Sequence, residues 1–299
     1  GETACEAVSY RRSAAAAEAR ERLESSGLPS VCIPSSVEAL ADNIVRCGHV
    51  LQGQCHDVYM TSSYVLIVQH VPWEKPGRIL ENLEDLDLGT RTVIVADEKK
   101  PELPSFDELC GVVIMGGPMG AQDFGDHPGL KAEAKLVRAA VGSGKPVLGV
   151  CLGHQIIASA LGAKLSSGKA PIVGFEPITS VVNHDYFSMW SKQVHVLQWH
   201  QDQVGVPEGG ELLARSPETA NEAFRVGSAL GLQFHLEVTA TLLEEWLAEP
   251  AMTKGLKKSQ IAAIRKDFAL YEPRLHPLAE QIFSAFAARC STYARTLAE

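Results

Sequence analysis

The strongest constraint on the fold is a succession of short, almost wholly apolar segments that begins after Met60. "SYVLIVQHV" (63–71), "TRTVIVAD" (90–97), "CGVVIMGGP" (110–118) and "GKPVLGVC" (144–151) are rich in β-branched residues. A strand with one wet face alternates polar and apolar residues, so runs of this kind predict strands buried on both faces of a parallel sheet. Between the third and fourth, "HPGLKAEAKLVRAAVGSG" (127–144) has the pattern of an amphipathic helix that stops at Gly142 and Gly144. Strands alternating with helices predict an α/β fold, a doubly wound, mostly parallel sheet with helices on both faces. In such sheets binding sites lie outside the carboxyl ends of the strands. Both "GGP" and "GVCLG" fall at that edge.

The flanks read differently. Residues 13–25 and 35–47 carry helix signatures, each with a glycine beyond the end, so residues 1–60 are expected to form a helical N-terminal extension ahead of a domain spanning 61–299. From about residue 165, "VGFEPITSVV" and "VHVLQWHQD" have the spacing of antiparallel strands. "ALGLQFHLEV" (229–238) then returns as a buried strand. The tail from about 240 is mainly helical, with "TATLLEEWLAE" starting on Thr239 and "SQIAAIRKDFALY" on Ser259.

Composition excludes several classes. With 27 Lys and Arg against 36 Asp and Glu, a net charge of −9 disfavours a nucleic-acid or anionic-membrane surface, since phosphate backbones reward clustered cations. No apolar run approaches the roughly 18 residues of a membrane span. Arg11 and Arg12 precede four alanines without a hydrophobic core for a secretory signal, and five glutamates in residues 1–27 argue against a transit peptide. A cytoplasmic setting is the expectation. The seven cysteines form no C-x-x-C pair, so reduced thiols are expected. Cys32, Cys47 and Cys55 with His49 and His56 are too irregularly spaced for a metal site, and none is expected.

Cys151 stands apart from the other cysteines. It lies in Gly149-Val150-Cys151-Leu152-Gly153, where an apolar strand gives way to a helix. A nucleophile raised on such a turn needs small neighbours, because the torsions are strained and an adjacent Cβ would collide. The helix from Leu152 is expected to lower the thiol pKa and to offer N–H groups to an oxyanion. A cysteine simply packed at a strand end fits the motif equally well. A nucleophile also needs a base and a group that orients it. His235 and Glu237 are separated by two, so on one strand both side chains would leave the same face.

Together these residues identify a resemblance. "MGGPMG" (115–120), "GKPVLGVCLGHQ" (144–155), "WHQD" (199–202) and "LQFHLEV" (232–238) resemble, in order and spacing over about 60–240, the class I glutamine amidotransferase superfamily with its Cys-His-Glu triad. The resemblance implies a flavodoxin-like α/β fold, no cofactor, and a γ-glutamyl thioester formed on Cys151, with His235 as proton shuttle and Glu237 orienting it. It further implies an oxyanion hole at Gly117 and Leu152, with Gly116, Gln155, His200, Gln201 and Asp202 around the substrate. His154 reads either as functional or as part of the helix packing. Many members carry Pro between the His and the Glu. Leu236 stands there in this chain, a form associated with stand-alone members similar to GMP synthase amidotransferase domains.

Ammonia released at such a site needs a synthase to use it. The sequence carries no G-x-x-x-x-G-K-[ST] loop and no evident nucleotide fingerprint, so a separate ammonia-accepting partner is expected. Two further readings stand beside this one. The first is a γ-glutamyl peptidase or hydrolase acting on γ-glutamyl conjugates, and the second is a regulatory or scaffold subunit with the same fold.

Overall fold

A computed structural model of the chain describes residues 63–181 and 185–298. The expected N-terminal extension, and with it Cys32, His49 and their neighbours, lies outside the described residues.

Among the described residues, nine strands form one sheet. They are β1 (Tyr64–Val68), β2 (Gly89–Val93), β3 (Leu109–Ile114), β4 (Val147–Val150), β5 (Leu165–Ser180), β6 (Gln193–Val204), β7 (Glu211–Arg215), β8 (Ala223–Val226) and β9 (Ala229–Leu232). Their spatial order is β2-β1-β3-β4-β9-β8-β7-β5-β6. Every pairing from β2 to β9 is parallel, and every pairing from β9 to β6 is antiparallel. The doubly wound α/β expectation therefore describes one half of a mixed sheet. In that half β1 sends Val65 and Ile67 to one face and Leu66 and Val68 to the other, all four fully buried. The period of a strand is two, and here both phases are apolar because both faces are covered.

One face is covered by α1 (Arg78–Glu84) and α6 (Lys258–Ala298), through Ile79, Leu83, Phe283 and Phe286. The other is covered by α2 (Leu130–Gly142) and α3 (Leu152–Ala160), through Leu130, Val137, Ile156 and Ile157. The tail completes a third cluster in which α4 (Ala240–Ala248) packs Trp246 and Leu243 beneath Trp199. Thr239 caps α4 as the sequence suggests, its side chain accepting from the Leu242 N–H at 3.2 Å. After the single turn α5 (Pro250–Thr253), α6 runs for 41 residues with Pro273 and Pro277 inside it. Proline removes a helical hydrogen bond, yet the buried row Leu278, Ile282, Phe283, Phe286 and Cys290 beyond it holds the helix on the sheet.

Two strand expectations need correction. "TRTVIVAD" is not buried on both faces: β2 is an edge strand, paired only with β1, and Gly89–Thr92 are exposed. Its apolar residues Val95 and Ala96 are buried after the strand has ended, against α2. "ALGLQFHLEV" is not one strand, since β9 ends at Leu232. Beyond it the chain makes an isolated bridge between His235 and Leu197 of β6.

Candidate active site

The carboxyl ends of β1, β3, β4 and β9 converge with the last residues of β6. At the end of β4, Cys151 has φ 54° and ψ −105°, and Asp87 is the only other non-glycine with positive φ among the described residues. Such torsions cost of order 1–3 kcal/mol and persist only where the surroundings impose them. They are imposed here by close packing of the turn. A Cβ on Gly149 would lie 2.5 Å from the Gly153 backbone, and one on Gly153 would lie 1.9 Å from the Ile114 carbonyl oxygen. The Cys151 N–H is tied to the Leu232 carbonyl at 2.8 Å, which joins the elbow to the neighbouring strand.

His235 and Glu237 meet as expected, although not on a regular strand. His235 Nδ1 lies 2.6 Å from Glu237 Oε1, both side chains are about 1% exposed, and the His235 N–H donates to the Leu197 carbonyl at 2.9 Å. The Trp246 ring meets the imidazole edge-on at 4.9 Å. His235 Nε2 is buried and coupled to the Cys151 thiol, whose sulfur also lies 3.7 Å from the Trp199 carbonyl.

The electrostatics correct one expectation. Burial pushes the Cys151 thiol above its ordinary value, and the neighbouring His235 only partly offsets this. Burial also opposes the charge on His235, but Glu237 and the thiol outweigh it, and the imidazole is raised well above its usual range.

A pocket of about 290 Å³ opens on the sulfur. Gly117 and Leu152 line it beside Cys151, and Leu152 belongs to the first turn of α3, whose N–H groups lack intrahelical acceptors. Gln155 also lines it, but both amide hydrogens are engaged, by the Asp202 carbonyl at 2.9 Å and by Gln233 Oε1 at 3.0 Å. It thus fastens the 199–202 segment to α3. That segment lies within strand β6, near its end. His200 is held by its Nδ1 to the Asp202 carbonyl at 3.1 Å, and burial lowers its pKa to about 4, so it is neutral. Gln201 lines the pocket, and its side chain reaches Ser167 and the Gly168 carbonyl. Gly116 stands behind the pocket, against Glu74.

His154 is part of the packing. It is fully buried, meets Phe224 edge-on at 5.0 Å, and burial lowers its pKa to about 3. Among the described residues no cluster of His, Cys, Asp and Glu could hold a metal ion, and no helix is long and apolar enough to cross a membrane.

Comparison with known proteins decides the family. The family model "Glutamine amidotransferase class-I" matches residues 78–251. The chain is a class-I glutamine amidotransferase family member. It is 29% identical over 188 residues to the glutamine amidotransferase-like protein YfeJ of Salmonella typhimurium, covering 60% of this chain and 78% of that one. It is 30% identical over 143 residues to a glutamine-hydrolyzing GMP synthase subunit of Methanocaldococcus jannaschii, covering 47% and 71%. The crystal structure of a glutamine amidotransferase from Thermotoga maritima superposes with a TM-score of 0.69 at 28% identity, covering 76% of this chain and 98% of that one.

Within this class-I glutamine amidotransferase fold, sequence reasoning overlooks a polar layer behind the elbow. His70 is buried with Nδ1 2.9 Å from the Gly116 carbonyl and Nε2 2.9 Å from Glu133 Oε2. Glu74 is buried with its carboxyl against Gly116. The available signal was position: both residues directly follow β1, at the sheet edge where sites form.

Proposed function

We propose that the protein hydrolyses the γ-amide of glutamine through a thioester on Cys151. The observation that carries this reading is a positive-φ cysteine at a strand-to-helix elbow, opening on a pocket and coupled to a buried His235–Glu237 pair. Substrate in the pocket places its carboxamide over the sulfur. The proton the pair shares rests on His235, the thiolate attacks the Cδ carbonyl, and the N–H groups of Gly117 and Leu152 receive the oxyanion. Collapse breaks the C–N bond as the His235 imidazolium gives its proton to the departing ammonia. Water, deprotonated by His235, then cleaves the thioester to glutamate. Glu237 holds His235 in the orientation both steps require. The backbone of Gln201 and Asp202, braced by Gln155, faces the α-amino and α-carboxylate groups.

A relative bearing the name of a synthase subunit supports an acceptor for the ammonia in a separate partner chain. The test is glutamine hydrolysis by the full chain. Cys151→Ala is expected to abolish it while folding survives. Turnover by that variant at the wild-type rate overturns the proposal.

One observation favours a second reading, hydrolysis of γ-glutamyl conjugates. A further cavity of about 580 Å³ shares Trp199, His200 and Gln201 with the first and continues to Met252, Lys254 and Leu256. It offers room for a larger amine portion than ammonia. A kcat/KM for γ-glutamyl peptides far above that for glutamine would establish this reading over the first.

A further inference from the structure

The candidate mechanism uses two ionisable partners for Cys151, but a third is enclosed with them. Glu74 is 6% exposed, and its Oε2 occupies the space beside Gly116: a Cβ there would lie 1.9 Å from that oxygen and 3.6 Å from the Cys151 Cβ. Only glycine at 116 lets the carboxyl reach the elbow. The loop carrying Glu74 is fixed at both ends to the reacting segments. At one end His70 holds the Gly116 carbonyl at 2.9 Å. At the other, the Arg78 N–H donates to the Glu237 carbonyl at 3.0 Å, and its guanidinium donates to the carbonyls of Leu236 at 3.1 Å and Val238 at 2.6 Å. Between them the Trp246 indole donates to the Trp73 carbonyl at 2.8 Å.

We propose that Glu74 is a positioning residue that sets the division of the proton between Cys151 and His235. This rests on the reading of Cys151 as the nucleophile. The groups facing it are Cys151 on the elbow, His235 and Glu237 after β9, and His70 after β1. Ionised, Glu74 supports the imidazolium that protonates departing ammonia, and it opposes the thiolate that must first attack. Neutral, it releases the thiolate. Burial raises its own carboxyl to about 7, against the pull of His235 and His70, so both forms are populated near neutrality. The two halves of the reaction thus make opposite demands on one side chain.

The experiment is alkylation of Cys151 by iodoacetamide between pH 5 and 10 in the full chain, followed by mass spectrometry of the Cys151 peptide. Glu74→Gln keeps the shape and removes the charge. Its alkylation midpoint is expected about one pH unit below wild type, the scale of a like charge removed from close range. A midpoint equal to wild type overturns the proposal, and so does a uniform change in rate without a shift, which is what lost packing alone would give. Should Glu74→Gln fail to fold, Glu74→Asp draws the charge back from Gly116. A smaller downward shift then supports the proposal, and an unmoved midpoint overturns it. Alkylation needs no substrate, so failure of wild type to hydrolyse glutamine would overturn the function while leaving this result to stand on its own.

Discussion

At the scale of single residues, the elbow shows how few positions are free to vary. Gly153→Ala would drive a methyl into the Ile114 carbonyl, and overpacking of this kind costs about 1–3 kcal/mol or more. A fall in the urea midpoint at unchanged slope is the expected observation. Glu237→Gln removes the charge that sustains the imidazolium, so glutamine turnover is expected to fall about 10²–10⁴-fold with little change in KM, the scale of lost acid–base assistance. Steady-state kinetics separates the two parameters. Cys151 was legible in the sequence because its chemistry and its neighbours lie within five consecutive residues. His70 and Glu74 were not. Their meaning depends on Gly116 and Glu133, which only folding brings near, and a histidine and a glutamate after a strand look like an ordinary wet loop.

At the scale of elements, continuous apolar runs located β1, β3 and β4 because both faces of those strands are buried. The same rule misread β2, where Thr90, Arg91 and Thr92 already announced a solvated edge. The strands β7 and β8 passed unnoticed: "ELLAR" and "AFRV" are short and carry charges that point outward, so neither run is long enough to show a period. The helical tail was expected from the sequence, and α6 continues through both prolines. What carries it past them is burial, and Phe283→Ala is expected to cost about 3–5 kcal/mol, read as a lowered denaturant midpoint.

Across the whole molecule, buried titratable groups make stability depend on pH in two opposed ways. Glu222 and Glu74 are raised by burial from 4.5 to about 7. Their contribution is fully present below the unfolded value and is lost as pH rises from 4.5 through 7. His200 and His154 are lowered by burial from 6.5 to about 4 and about 3. Their contribution is present above 6.5 and is lost as pH falls through those values. Between 4.5 and 6.5 the two pairs oppose one another. Below 4.5 the glutamates are protonated in both states, so melting temperature is expected to drop steeply with acid. In His154→Leu calorimetry is expected to show a shallower drop.

The bridge between Leu197 and His235 has a wider consequence. Following the strands from β9 through β8, β7 and β5 to β6, and then across that bridge, the antiparallel half returns to where it began. The imidazole sits on the clasp of this ring. A slip of one residue in the β5–β6 hairpin would displace the Leu197 carbonyl by about 3.4 Å and turn it within the sheet plane away from the bridge, withdrawing the anchor of the His235 backbone. If His235 acts as proposed, the rate of glutamine hydrolysis is thus expected to gauge strand alignment, falling on substitutions far out on the hairpin that do not touch the site.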